Sequence, residues 1–103
     1  MKLFLSPLAV ETLEAILDFI EENWSRKSRE KALEKVLSKF DQIKLQPKSC
    51  PESAIRPKLF RCVVSKQTSF FYRILNDEIE VIIFIDNRQD PKDLTQILSR
   101  NRS

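Results

Sequence analysis

A chain of 103 residues with 42% hydrophobic and 32% charged side chains has the make-up of one globular domain, long enough for a single core and too short for two. It contains no glycine, which excludes Gly-rich phosphate loops and dinucleotide fingerprints, and no histidine, which removes the commonest general base and zinc ligand. The net charge of +3 is unevenly placed: residues 1–45 balance eight basic against eight acidic side chains, residues 46–75 set six basic against Glu52 alone, and residues 76–103 set four basic against six acidic. The excess (Lys48, Arg56, Lys58, Arg61, Lys66 and Arg73) suits an acidic protein partner or a phosphate backbone.

In chain order, Lys2-Leu3-Phe4-Leu5 reads as a short strand, and Ser6-Pro7 as a helix start, with a side chain that caps free N–H groups ahead of the residue favoured at the first helical position. Leu13, Ile16, Leu17, Ile20 and Trp24 then fall on one face of a helix over Pro7–Trp24, whose acidic residues lie mostly elsewhere. Ser25 or Ser28 caps a second helix with an apolar set of Ala32, Leu33, Val36, Leu37, Phe40 and Ile43, stopping before Pro47. The short link between them predicts an antiparallel helical hairpin. Lys27, Lys31, Lys35 and Lys39 line one stripe; Glu30, Glu34 and Asp41 dilute its field, so it reads as a solvated face with pairs such as Lys31–Glu34 and not as a nucleic-acid footprint.

Residues 46–58 carry three prolines and no apolar period, a loop. Three strands follow. Leu59–Val64 alternates Phe60, Cys62 and Val64 against Leu59, Arg61 and Val63, and Ser69–Leu75 alternates Phe70, Tyr72 and Ile74 against Phe71, Arg73 and Leu75. After an Asn76-Asp77 turn, Ile79, Val81, Ile83 and Ile85 define one face of the last strand, with Glu80, Ile82, Phe84 and Asp86 behind. One sheet face is apolar enough to receive both helices. The other mixes apolar and charged residues, and its exposure would make it an interaction surface. The register sets Arg73 opposite Glu80, so Arg73 serves either a cross-strand ion pair or a partner. A short last helix near residues 91–100 is expected after Asp90-Pro91.

Cys50 and Cys62 cannot build a metal site alone, and no metal or cofactor is expected. They could form one disulfide; with no signal-like segment ahead of the domain, free thiols in a reducing cytoplasm are the expectation. The longest apolar run, Val81–Ile85, is far too short to span a bilayer, so no membrane role is expected.

This α+β order of strand, helical hairpin, three strands and short helix resembles the RelE/ParE superfamily of toxins from type II toxin–antitoxin modules. The resemblance is carried by the acidic first helix ending in Asn23-Trp24, the second-helix apolar set, the Arg61 strand, Phe71-Tyr72-Arg73-Ile74, the strand Ile79–Ile85, and Asn87-Arg88-Gln89-Asp90. It implies a toxin of the kind linked to plasmid stabilisation, neutralised by an acidic antitoxin protein that wraps sheet and helices. RelE-like members cut mRNA in the ribosome, whereas ParE-like members act on DNA gyrase without a conventional hydrolytic site. Cleavage needs a base, a cation for the phosphate and an acid for the leaving oxygen. Arg61, Arg73 and Arg88 could supply the charge and Lys58 or Lys66 the base. Ribonuclease members usually place a Tyr or His acid after the last strand, and Asp86–Asp90 holds neither. The only tyrosine, Tyr72, alternates onto the core face.

The Arg88-Gln89-Asp90 ending resembles the ParE branch. The expectation is therefore a gyrase inhibitor that contacts its target through Arg61, Arg73, Arg88 and Asp90 and its antitoxin through Phe71, Arg73, Leu75, Ile82 and Phe84. It would bind no specific DNA sequence directly. The alternatives are a ribosome-dependent mRNA endonuclease and a non-toxic binding domain of the same fold.

Overall fold

Ser6 begins the first helix as expected: its backbone is extended, and its Oγ accepts from the Ala9 N–H at 3.0 Å. The computed structural model describes residues 1–87, as β1 (Lys2–Leu5), α1 (Pro7–Asn23), α2 (Arg26–Leu45), β2 (Phe60–Val63), β3 (Thr68–Leu75) and β4 (Glu78–Asp86). Arg88, Asp90 and the expected last helix lie outside the described residues.

Ser25 caps α2 by accepting from the Ser28 N–H at 3.0 Å, and Trp24-Ser25 alone link the helices into a hairpin. Ion pairing on the hairpin runs between helices, from Arg29 to Asp18 at 2.7 Å and Glu21 at 3.8 Å, and not from Lys31 to Glu34. Trp24 departs from its expected place on the core face. It is 68% exposed and meets Phe19 edge-on with ring centroids 5.9 Å apart, because the helix ends at Asn23 and Trp24 leaves helical geometry as its C-cap. Leu37, assigned to the apolar set of α2, is also exposed.

The four strands lie in the order β1-β4-β3-β2; β1 runs parallel to β4 and the other neighbours are antiparallel. Asn76 and Asp77 have φ of 51° and 61°, the positive pair that a tight hairpin requires, here supplied without glycine. Ala9, Val36, Phe40 and Ile43 from the helices pack on Phe60, Cys62, Phe70, Tyr72, Ile79, Val81 and Phe84 of the sheet.

The alternation in β4 is interrupted. Tyr72 pairs with Val81 and Phe71 with Ile83, which leaves Ile82 as an extra residue in a β-bulge. A bulge shifts every later side chain to the other face, so two expectations are corrected. Phe84 belongs to the core beneath the helices, 5.2 Å from Phe70 and 6.2 Å from Phe40 between ring centroids. Ile83 and Ile85 join Ile82 on the opposite face.

The start of α1 satisfies backbone groups around the bulge. Ser6 donates from its N–H to the Val81 carbonyl at 2.9 Å and from Oγ to the Ile82 carbonyl at 2.7 Å, while Thr12 Oγ1 accepts from the Phe84 N–H at 2.9 Å.

The expectation of an open second face is also corrected. Phe71, Ile82, Ile83 and Ile85 are buried there with Leu59, and Leu8 and Ile55 pack against them. Leu8 comes from α1, and Ile55 from the 46–58 segment, which folds back along the outer edge of β2 with Glu52 bridged antiparallel to Phe60.

Candidate functional site

The basic residues of the sheet fall into two groups on the second face. Arg61 sits in mid-β2 opposite Phe71, its guanidinium 6.0 Å from the centroid of that ring, at the outer reach of a cation–π contact. One guanidinium nitrogen donates to Asn87 Oδ1 at 2.9 Å. Its Nε is buried and has no hydrogen-bond partner among the described residues. A buried donor left unmade carries a desolvation cost, so Arg61 is held with hydrogen-bonding capacity unspent.

Asn87 organises that end of the sheet. Its Oδ1 also accepts from Ser69 Oγ, its Nδ2 donates to the Ser65 and Lys66 carbonyls at 3.1 Å each, and its backbone N–H donates to Gln67 at 2.7 Å. One side chain thus ties the β2–β3 turn to the end of β4 and fixes the Arg61 head. In the sequence Asn87 stands out only as part of Asn87-Arg88-Gln89-Asp90. Its signal was its place just past the last apolar strand, where an amide with two donors and an acceptor can bridge neighbouring turns.

Arg73 lies two residues beyond Phe71 on the same face and pairs with Glu80, as the hairpin register predicts. Its Nε donates to Glu80 Oε1 at 2.6 Å, with both side chains mostly covered. Lys58 and Lys66 are exposed, Lys66 in the β2–β3 turn and Lys58 before β2 with φ of 62°. The structure therefore gathers Arg61, Lys66, Ser69 and Asn87 at one end and sets Arg73–Glu80 nearer the β3–β4 turn.

Tyr72 is on the other side of the sheet, as its alternation implied. It is fully buried and stacks on Phe60 at 5.2 Å, and its hydroxyl donates to the Pro47 carbonyl at 2.8 Å. Burial, reinforced by the neighbouring Cys50, raises its pKa well above the ordinary phenol value. It is placed to support the core and not to trade protons with Arg61 or Arg73.

Of the residues expected to meet an antitoxin, Phe71 and Ile82 are buried on the second face and Phe84 is buried on the helix side, while Leu75 is exposed and Arg73 partly so. The exposed large apolar residues are instead spread over Phe19, Trp24 and Leu37 of the hairpin and Val63 and Leu75 of the sheet, among others. Among the described residues no three His, Cys, Asp or Glu side chains converge as a metal site requires, and no helix is long and apolar enough to cross a membrane.

With this geometry in place, the chain can be compared with known proteins. The family described as "ParE toxin of type II toxin-antitoxin system, parDE" matches residues 3–91. No curated protein matches the sequence. Among the solved structures, a chain from "Chromosomal ParDE TA system from P. aeruginosa" is similar at 16% identity, with a TM-score of 0.71, covering 84% of this chain and 95% of that one. At that identity the likeness speaks to the fold.

Proposed function

This chain belongs to the ParE toxin family of type II toxin–antitoxin systems, and from that premise we propose that it is a toxin that inhibits DNA gyrase by binding and is neutralised by a cognate acidic antitoxin. The observation that carries a binding mechanism over a hydrolytic one is the separation of Tyr72 from the second-face arginines. General acid–base cleavage of RNA requires proton donors and acceptors within hydrogen-bonding reach of the reacting oxygens. The tyrosine hydroxyl is spent on Pro47 across the sheet. Arg61, with an unspent donor, and Arg73 are recognition residues in this reading, as are Arg88 and Asp90, which follow β4 in the sequence outside the described residues.

Leu75 and Arg73 contribute to antitoxin binding, joined by exposed Val63 and by the Phe19–Trp24 pair at the hairpin tip. An acidic partner is favoured by the five-charge excess of residues 46–75.

The test is purified gyrase assayed for supercoiling with and without the protein. Loss of supercoiling or a trapped cleavage complex supports the reading, and Arg61→Ala should weaken either effect. Unchanged supercoiling with no trapped complex overturns it. Cleavage of mRNA in a translation extract, lost on Arg61→Ala or Arg73→Ala, would instead establish the ribonuclease alternative.

A further inference from the structure

We propose that Cys50 and Cys62 are a reversible disulfide pair that staples the 46–58 segment to the edge of β2. Glu52 faces Phe60 in an antiparallel bridge whose flanking hydrogen bonds run from the Ser53 N–H to the Leu59 carbonyl and from the Arg61 N–H to the Pro51 carbonyl. Those two bonds define 53–59 and 51–61 as hydrogen-bonded pairs. The alternation makes 52–60 a non-hydrogen-bonded pair, and the same register carried two residues outward sets Cys50 against Cys62 in the same kind of position.

That position is the closer of the two antiparallel types, with Cα atoms about 4.5 Å apart and side chains on one face, within the span a disulfide bridges. Both cysteines are free, and both are buried in the core beneath the helices. Cys50 is near enough to act on Cys62, whose pKa burial first and Cys50 next push up to about 12.

The two thiols differ in access. Cys62 is 1% exposed within the sheet, whereas Cys50 is 8% exposed on the outer segment. Pro51 has no N–H, so the 51–61 pair makes one hydrogen bond where other residues would make two. The outer segment is therefore the part that opens at least cost, and Cys50 reacts first.

The oxidant class is a low-molecular-weight disulfide such as oxidised glutathione. The Cys50 thiolate attacks one glutathione sulfur, and the other leaves as a thiolate that takes up a proton. Cys62, its own proton lost to solvent, attacks the Cys50 sulfur of the mixed disulfide and expels the second glutathione thiolate, which is protonated in turn. Two protein thiols and one glutathione disulfide become one protein disulfide and two glutathione thiols. The product holds the segment on β2 and keeps that sheet edge covered.

The test treats the folded wild-type protein with oxidised glutathione in native buffer and reads intact mass, circular dichroism and tryptic cleavage. The expected product is a folded monomer lighter by two hydrogen atoms. Its fragments after cleavage at exposed Lys58 stay joined through Cys50 and Cys62 until dithiothreitol is added, and that cleavage slows several-fold. Cys50→Ser should give no such species. Thiols that stay free until the protein is denatured would overturn the proposal. So would oxidation that stops at a glutathione adduct, or that yields only disulfide-linked dimers.

Discussion

On the helix-covered face of the sheet, Phe70, Val81 and Phe84 meet Val36, Phe40 and Ile43, and the polar tip of Tyr72 is spent on a backbone carbonyl. On the opposite face, Phe71, Ile82, Ile83 and Ile85 are equally buried but share their surface with Arg61, Arg73, Glu80 and Asn87, whose heads are bonded to one another at the margins. Both faces exclude water. Losing an apolar side chain leaves a cavity on either face, and losing a polar one on the second also leaves an unpaired charge or amide. Both faces hold the fold together, and the second in addition holds cationic groups in fixed positions.

The sharpest way to break this contrast is to empty the helix side. Phe70→Ala removes a fully buried ring packed on Phe40, Tyr72 and Phe84, and should cost about 3–5 kcal/mol in chemical denaturation. Val63→Ala, on an exposed position of neighbouring β2, should change stability by no more than about 0.5 kcal/mol. Equal losses at the two sites would mean that the core is not where the packing puts it.

A second test addresses the junction between the faces. Ser6→Ala removes both the cap on α1 and the side-chain donor to the bulged Ile82 carbonyl, and should cost about 1–3 kcal/mol. Hydrogen exchange should show the loss at the start of α1, with the Ala9 amide the first to lose protection.

Alkaline titration probes the buried thiol. Cys62 ionises near 9.0 in its ordinary state and at about 12 when folded, so above pH 9 the unfolded chain sheds a proton that the folded chain retains. The stabilisation is intact below pH 9 and is lost as pH rises from 9 towards 12. Tyr72 shifts in the same direction. Denaturation midpoints measured across that range should fall less steeply for Cys62→Ala.

The smallest effect belongs to the Arg73–Glu80 pair. A double-mutant cycle through Arg73→Met and Glu80→Gln should return a coupling of about 0.2–1 kcal/mol, the range for cross-strand charge pairs. If the single change at Arg73 abolishes toxicity while stability moves only this much, its role is recognition; equal loss on Glu80→Gln would make the pair itself the functional unit.

Much of this protein could be read from local chemistry. Ser6-Pro7 and Ser25 mark helix starts because their side chains cap N–H groups that the helix leaves unpaired, and Asn76-Asp77 turns the hairpin because both residues accept positive φ. That turn fixes the register, which is why Arg73 opposite Glu80 could be foreseen. Placing Tyr72 in the core needed only the alternation of β3, where no bulge intervenes.

Other features were decided only when the chain folded on itself. Val81-Ile82-Ile83-Phe84-Ile85 is apolar in both parities, so nothing in its pattern says where alternation breaks; the break is satisfied by Ser6 and Thr12, some seventy residues earlier. The seat of Ile55 on the second face and the approach of Cys50 to Cys62 depend on a proline-rich segment folding back along β2, a pairing that no local period encodes. Local pattern thus determined the elements and the core strand. The tertiary structure decided which face each end of β4 serves, because a two-residue period carries no memory of a bulge until another element satisfies the backbone it frees.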